Sequence, residues 1–437
     1  MKRVLIITYY WPPSGGAGVQ RWLKFVKYLR NYGWEPVVYT AKNPEAPALD
    51  FSLAKDIPAG LKVIHQSIWE PYSFYRKFVG IKKDEKISAG FLSESKQPGF
   101  AQKVAVWLRG NLFIPDARKF WIKPSIRFLT KYLQENPVDA VVSTGPPHTT
   151  HLIALGIKKH VGIPWLADFR DPWTRIDFYD KLMLTSAADK RHRILEQKVL
   201  KAADRIVTVS WNWAKDFEAL GSPDTKVITN GFDPEDFPET NQKKTTTFLL
   251  THIGSLNKDR NPEFLWKVLG EMVRSDEAFR KLLQIRFIGK TDFSVFESLE
   301  LHGLASCSEK IDYVPHDEAL RLSANSAVLL LLINDTPNSL GIIPGKVFEY
   351  LATRRPILCI GPPAGDSARI VNETKSGYVV NFGDEACLNS AIRELFNQYL
   401  NNNILQSETA IDQFSRKTLT GDIARLLDEI SISQQTK

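Results

Sequence analysis

Cysteine is scarce in this chain: Cys307, Cys359 and Cys387 are the only three in 437 residues. Three scattered thiols make neither a disulfide framework nor the ligand set of a structural metal, and a reducing cytosol suits them. Long apolar runs are also missing. The longest, Ala327 to Ile333, falls far short of the roughly 20 residues a membrane-spanning helix needs. Near the start, Lys2 and Arg3 precede only Val4 to Ile7 before Tyr9, Tyr10 and Trp11, too short a stretch for a secretory h-region. No low-complexity tract suggests a disordered tail. No helix-turn-helix, zinc-finger or RNP pattern is present, so no nucleic-acid partner is expected. The expected location is cytoplasmic.

What the chain does have is apolar material for more than one core. With 43% hydrophobic residues over 437 positions, two domains are the economical expectation. The net charge of +8 is unevenly spread: Pro71 to Glu135 holds 13 Lys and Arg against 5 acids. That surplus is interleaved with Trp107, Phe113, Phe120 and Trp121. It fits either a solvated face or contact with an anionic membrane or lipid carrier, which would put the protein at the inner face of the cell membrane. Lys119, Lys123, Arg127 and Lys131 recur every fourth residue, which on one helix predicts a cationic stripe.

The order of elements predicts an α/β fold. Arg3 to Thr8 reads as a strand, Pro12 to Gly18 as a glycine-rich turn, Val19 to Tyr32 as a helix ended by Gly33, and Pro36 to Thr40 as the next strand. Short apolar runs of the buried parallel kind follow at Lys62–His65, Asp139–Ser143, Pro164–Ala167 and Arg205–Val209. A break near Asn230 to Pro234, continuing through polar Glu239 to Thr247, precedes a second series. Its strands are expected at Phe248–Gly254, Ile285–Gly289, Val328–Ile333, Pro356–Ile360 and Gly377–Val380. The expected domains are 1–235 and 246–405, both doubly wound, with a helix in 406–437 packing back on the first. Ligands of such sheets bind beyond the carboxyl ends of the strands, and a cleft between two of them is the expected site.

Residues placed just after strands carry the candidate chemistry. Gly15, Gly16 and Gly18 allow backbone N–H groups to approach an anion, or simply make a turn. His148, in Ser143-Thr-Gly-Pro-Pro-His148, suits proton transfer, orientation of a hydroxyl, or a helix cap. Asp168, Arg170 and Asp171 crowd three charges at a strand end, which fits an acceptor site or a buried ion-pair network. Further on, Lys258 and Arg260 follow Gly254 and suit a diphosphate. In Asn338 to Leu351, the backbone of Ser339, Leu340, Gly341 and Ile342 together with Lys346 suits phosphate, and Glu349 suits ribose hydroxyls.

In this order the motifs resemble glycosyltransferase family 4, of the GT-B fold. The likeness spans nearly the whole chain. It rests on Pro12 to Gly18, Ala203 to Ser210, Val227 to Asp233 with Phe237, Gly254, and Pro344 to Ala352 followed by Arg355-Pro-Ile. The resemblance implies two Rossmann-like domains and retaining transfer from a nucleotide-sugar donor, with no obligatory metal and no cofactor. The Lys346 pattern is similar to that of surface-polysaccharide transferases, which implies a glycan or polyprenyl-linked acceptor. Glu349 matches the family's ribose-binding glutamate, and Arg260 falls near its usual lysine. The chain departs from the family at three places: Ser255 replaces an arginine, Gly341 a glutamate, and Arg170 a histidine. A same-fold sugar-nucleotide epimerase and a catalytically inert sugar- or lipid-binding scaffold are the alternatives.

Overall fold

Among the described residues there are thirteen strands, in two all-parallel sheets. The computed structural model describes residues 1–46, 49–70, 100–222, 224–237, 245–401 and 411–435. The basic stretch from Pro71 through residue 99, and most of the polar break after Glu239, lie outside the described residues. Contacts divide the chain into two units, one made of 1–229 with 416–437 and the other of 230–415.

The first unit contains β1 (Lys2–Ile7), β2 (Trp34–Ala41), β3 (Lys62–Gln66), β4 (Ala140–Gly145), β5 (Trp165–Phe169), β6 (Arg205–Thr208) and β7 (Thr225–Val227). Their order in the sheet is β3-β2-β1-β4-β5-β6-β7. Every residue of β4 and β5 is buried, as befits central strands covered on both faces. The helix Ala17–Leu29 lays Val19, Trp22, Leu23, Val26 and Leu29 on the sheet. A later helix, Arg416–Gln435, adds Leu419, Ile423, Leu427 and Ile430 to the same core. Those four recur at helical spacing, so one stripe of the helix does the packing. Lys2 Nζ meets Asp428 Oδ1 at 2.7 Å, and the Tyr32 hydroxyl donates to the Lys417 carbonyl at 2.8 Å.

The second unit contains β8 (Phe248–Ile253), β9 (Leu283–Ile288), β10 (Ser308–Ile311), β11 (Val328–Leu332), β12 (Ile357–Ile360) and β13 (Gly377–Val380). Their order is β10-β9-β8-β11-β12-β13. Phe248 and Leu250 lead one face of β8 into a core with Trp266, Phe279, Phe287 and Phe396. β8 stays paired with β9 over six positions, from Phe248↔Leu283 to Ile253↔Ile288. With β11 it pairs at only two, Val328↔Leu250 and Leu329↔Thr251. The strand order reverses there, and the pairing of β8 with β11 stops at Thr251, so their carboxyl ends part, the place where such sheets take ligands. In the first unit the reversal lies between β1 and β4.

Two strands escaped the sequence reading. β7 is three residues long, and β10 is polar and only partly buried; both lie at sheet edges, where alternation is not enforced.

Leu427 is wholly buried in the core of the first unit. Leu427→Ala is expected to cost about 2–5 kcal/mol. Urea unfolding should show the loss in the transition of the first unit, with that of the second unmoved.

Candidate functional site

In the second unit, chemistry gathers where β8 and β11 part. Gly254 follows β8 with φ +102°, a left-handed conformation that favours glycine. A Cβ on it would stand 3.3 Å from Lys346 Nζ, so glycine also makes room for the cation. Lys346 begins the helix Lys346–Ala352. Its Nζ donates to the Ile253 carbonyl at 2.5 Å and lies 3.4 Å from His252 Nε2. Burial pushes the Lys346 ammonium down to about 7; the Arg260 charge adds to the fall and Glu349 opposes it.

Arg260 reaches the same place from the short 3-10 turn Lys258–Arg260. Its Nε donates to Asn334 Oδ1 at 2.6 Å, just beyond β11, and its Nη1 to the Ser255 carbonyl at 3.3 Å. Arg260 thus returns to Ser255, the position at which the resemblance implies an arginine. Glu349 is half-buried, one turn beyond Lys346, with His316 Nδ1 at 3.9 Å from its Oε1. The Tyr350 hydroxyl accepts from the Ile253 backbone N–H at 3.1 Å. Ser339, Leu340 and Gly341 form a 3-10 turn, with the Leu340 side chain exposed. The Ile342 carbonyl accepts from Ser367 Oγ at 2.7 Å. Lys258 is exposed.

In the first unit, Arg170 ties the first turn of the helix Ala17–Leu29 to the turn after β4. Its Nη1 donates to the Gly18 carbonyl at 2.9 Å and its Nη2 to the Pro146 carbonyl. A Cβ at Gly18 would lie 2.9 Å from Nη1, so this glycine is needed for the guanidinium to approach. Gly16 has φ +96° and precedes the helix Ala17–Leu29, while Gly15 is buried. His148 is buried and stacks on Trp173, with ring centroids 4.6 Å apart. Its Nδ1 has no hydrogen-bond partner among the described residues. Burial, then His151, His192 and Arg170, hold His148 well below the usual histidine value. A neutral, weakly basic ring suits orienting a hydroxyl better than taking its proton. Asp171 is half-buried; burial raises its carboxyl, with Arg170 opposing.

Asp168 requires a correction. Expected on the acceptor side, it has no exposed surface, and its carboxylate is taken up from behind. Arg21 Nη2 meets Oδ1 at 2.9 Å, Trp22 Nε1 donates to Oδ2 at 2.7 Å, and Thr144 Oγ1 to the same oxygen at 2.8 Å. A carboxylate so enclosed supports the loop rather than touching an acceptor. Sequence reasoning missed Arg21, Asn334 and His252. Arg21 and Asp168 are 147 positions apart, and nothing local in the sequence pairs them.

Lys119 also departs from its expected place in a stripe. Its Nζ donates to the Leu112 carbonyl at 2.5 Å and lies over the Phe113 and Phe120 rings. Lys123, Arg127 and Lys131 remain exposed along the helix Ile122–Glu135. Trp121 is buried and stacks on Tyr39 at 5.3 Å.

Burial alone would raise the Asp168 carboxyl, but the Arg21 charge and the hydrogen bonds from Arg21, Trp22 and Thr144 hold it below its ordinary value. A depressed carboxyl stabilises the fold above its unfolded value of about 3.9, and that contribution is lost as pH falls through the folded value. Asp168→Asn leaves the buried Arg21 cation without its counter-charge, an expected cost of about 3–5 kcal/mol. Denaturation between neutral pH and pH 3 should show this loss at neutrality and a flatter acid limb in the variant.

Residues 15–231 match a family model described as a glycosyl transferase 4-like domain. No curated protein sequence matches the chain. Among solved structures, HepE from Anabaena in complex with UDP-glucose superimposes with a TM-score of 0.63 at 12% identity, covering 98% of this chain and 100% of that one. TarM from S. aureus, a point mutant solved with fondaparinux, alpha-GlcNAc-glycerol and UDP, gives 0.60 at 10% identity, with 98% and 100% covered. The N-terminal domain of Candida albicans trehalose-6-phosphate phosphatase gives 0.65 at 12% identity, with 99% and 97% covered. At such identities these likenesses establish the fold alone.

Proposed function

Through residues 15–231 the chain belongs to the glycosyltransferase 4-like family, within a GT-B fold, and on that premise we propose that it is a retaining, metal-independent sugar transferase. Its donor is a nucleotide sugar, and its acceptor a glycan or polyprenyl-linked glycan in surface-polysaccharide assembly. The observation that carries this reading is the convergence of Lys346, Arg260 and Gly254 where β8 and β11 part.

Two cations held by backbone and amide oxygens suit a diphosphate, whose charge rises as the sugar leaves. Lys346 and Arg260 stabilise that leaving group, with the backbone from Ser339 to Ile342 beside them, and Glu349 accepts from ribose hydroxyls. In a front-face transfer the departing phosphate takes the acceptor proton, so no strong side-chain base is needed. Arg170, Asp171 and His148 form the acceptor side of the first unit, with Asp168 fixing their loop. HepE and TarM were solved with UDP-glucose and UDP respectively, and a uracil nucleotide sugar is the first donor to test.

Lys346→Met is expected to weaken UDP-sugar binding about tenfold or more, through loss of a charge-assisted contact, with the fold intact. The pH dependence has a definite sign. Lys346 titrates at about 7, so much of it is neutral at pH 8; a bound diphosphate favours the ammonium and draws a proton in. Calorimetry at pH 8 in buffers of different ionisation enthalpy should record uptake of up to about one proton, absent in Lys346→Met. Wild-type affinity in that variant would remove the donor assignment.

The acceptor proposal includes an anionic membrane surface. No helix among the described residues is long and apolar enough to cross a membrane. Exposed Lys123, Arg127 and Lys131 lie on one helix with exposed Phe128. Each cation near an anionic bilayer contributes about 1 kcal/mol, which gives reversible, salt-sensitive attachment. Sedimentation with anionic liposomes is expected at low salt, and should be lost at high salt or in Lys123→Glu with Arg127→Glu. Equal binding to neutral vesicles would overturn the surface assignment.

A further inference from the structure

His252 is wholly buried near the end of β8, on the strand face that Phe248 and Leu250 lead into the core. Alternation calls for a third apolar residue there, and the chain has an imidazole instead. It lies beyond the two positions at which β8 pairs with β11. Its Nδ1 meets the Leu330 carbonyl of β11 at 3.2 Å. A carbonyl can only accept, so Nδ1 carries the proton in the neutral ring and Nε2 is left with its lone pair. That lone pair faces Lys346 Nζ at 3.4 Å, while the same ammonium donates to the Ile253 carbonyl.

We infer that His252 is a positioning residue for the donor-phosphate cation, its Nε2 accepting from Lys346 Nζ and so holding the ammonium beside Gly254. This rests on the donor reading of Lys346. The arrangement is selective about charge. An imidazolium at 252 would point an N–H at the ammonium and repel it. Burial first, then the Lys346 and Arg260 charges, keep the ring neutral, although the Leu330 and Ser255 backbone favours its protonation. The charged groups that set the state of Lys346 itself are Arg260 and Glu349. With one N–H on Ile253 and one on His252, the ammonium keeps a third for a phosphate oxygen. Without the ring, Nζ loses one of its two acceptors and can swing away from the glycine.

The test is a double-mutant cycle on the full chain, with UDP as the probe and GDP and ADP in parallel. His252→Phe removes the acceptor and keeps a ring, and His252→Gln restores an acceptor. His252→Phe is expected to weaken nucleotide binding about tenfold and to move the alkaline limb of affinity to lower pH, because the ammonium has lost a partner. His252→Gln should recover most of both. In a Lys346→Met background, His252→Phe should change affinity by less than about twofold. An equal loss in both backgrounds, or an unmoved alkaline limb in a folded His252→Phe variant, overturns the positioning role while the donor site stands. Unchanged affinity in Lys346→Met alone overturns the donor reading, and this inference with it. If His252→Phe does not fold, His252→Leu replaces it, since it fills the apolar strand face and has no acceptor for Lys346. Coupling to Lys346 then decides in the same way.

Discussion

Arg21 and Asp168 meet with no exposed surface on either side chain, and the loops of the first unit hang on that contact. A buried ion pair is tolerated only when its remaining donors and acceptors are filled. Here the guanidinium also donates to the carbonyls of Ile228 at 2.9 Å and Thr229 at 2.7 Å. The carboxylate also receives Trp22 and Thr144. One cluster therefore joins the helix Ala17–Leu29, the ends of β4 and β5, and the segment after β7. Arg170, two residues beyond Asp168, then reaches the carbonyls of Gly18 and Pro146 from a fixed base. Arg170 is thus placed by an interaction that it does not itself make.

The second unit solves the opposite electrostatic problem. Lys346 and Arg260 bring two cationic side chains near one another, held by carbonyl and amide oxygens, with Glu349 opposing part of the repulsion on Lys346. On the donor reading proposed above, an incoming dianion relieves that repulsion and replaces lost hydration, which concentrates binding energy on the departing group.

Much of the fold was legible in the sequence, because buried parallel strands must be apolar on both faces. β1, β4, β5, β8, β11 and β12 all announce themselves in this way, and the turn after each is rich in glycine or proline. Edge strands β7 and β10 bury less and left no comparable mark. At the sites, residues just after strands could be nominated by position, since the topology dictates where ligands go. Their partners could not. Whether Asp168 faces a ligand or a buried arginine depends on Arg21, far away in the chain. The place of Lys119 depends on the Leu112 carbonyl and two phenylalanine rings. His252 left only a faint trace, a polar residue in an apolar register, which becomes informative once Lys346 is known to stand beside it.

The helix Arg416–Gln435 fills the core of a unit whose other residues end at 229, with all of 230–415 in between. During synthesis, the second unit is therefore made in full while the first still lacks one of its walls. For that interval Val19, Trp22, Leu23 and Val26 have no cover from Leu419, Ile423 and Leu427, and present a greasy face to the cell. At translation rates of about 5–20 residues per second the exposure lasts on the order of ten seconds. That is long enough for chaperones to engage it, and for a nonsense or frameshift lesion near codon 415 to yield a protein with an intact second unit and an unfinished first.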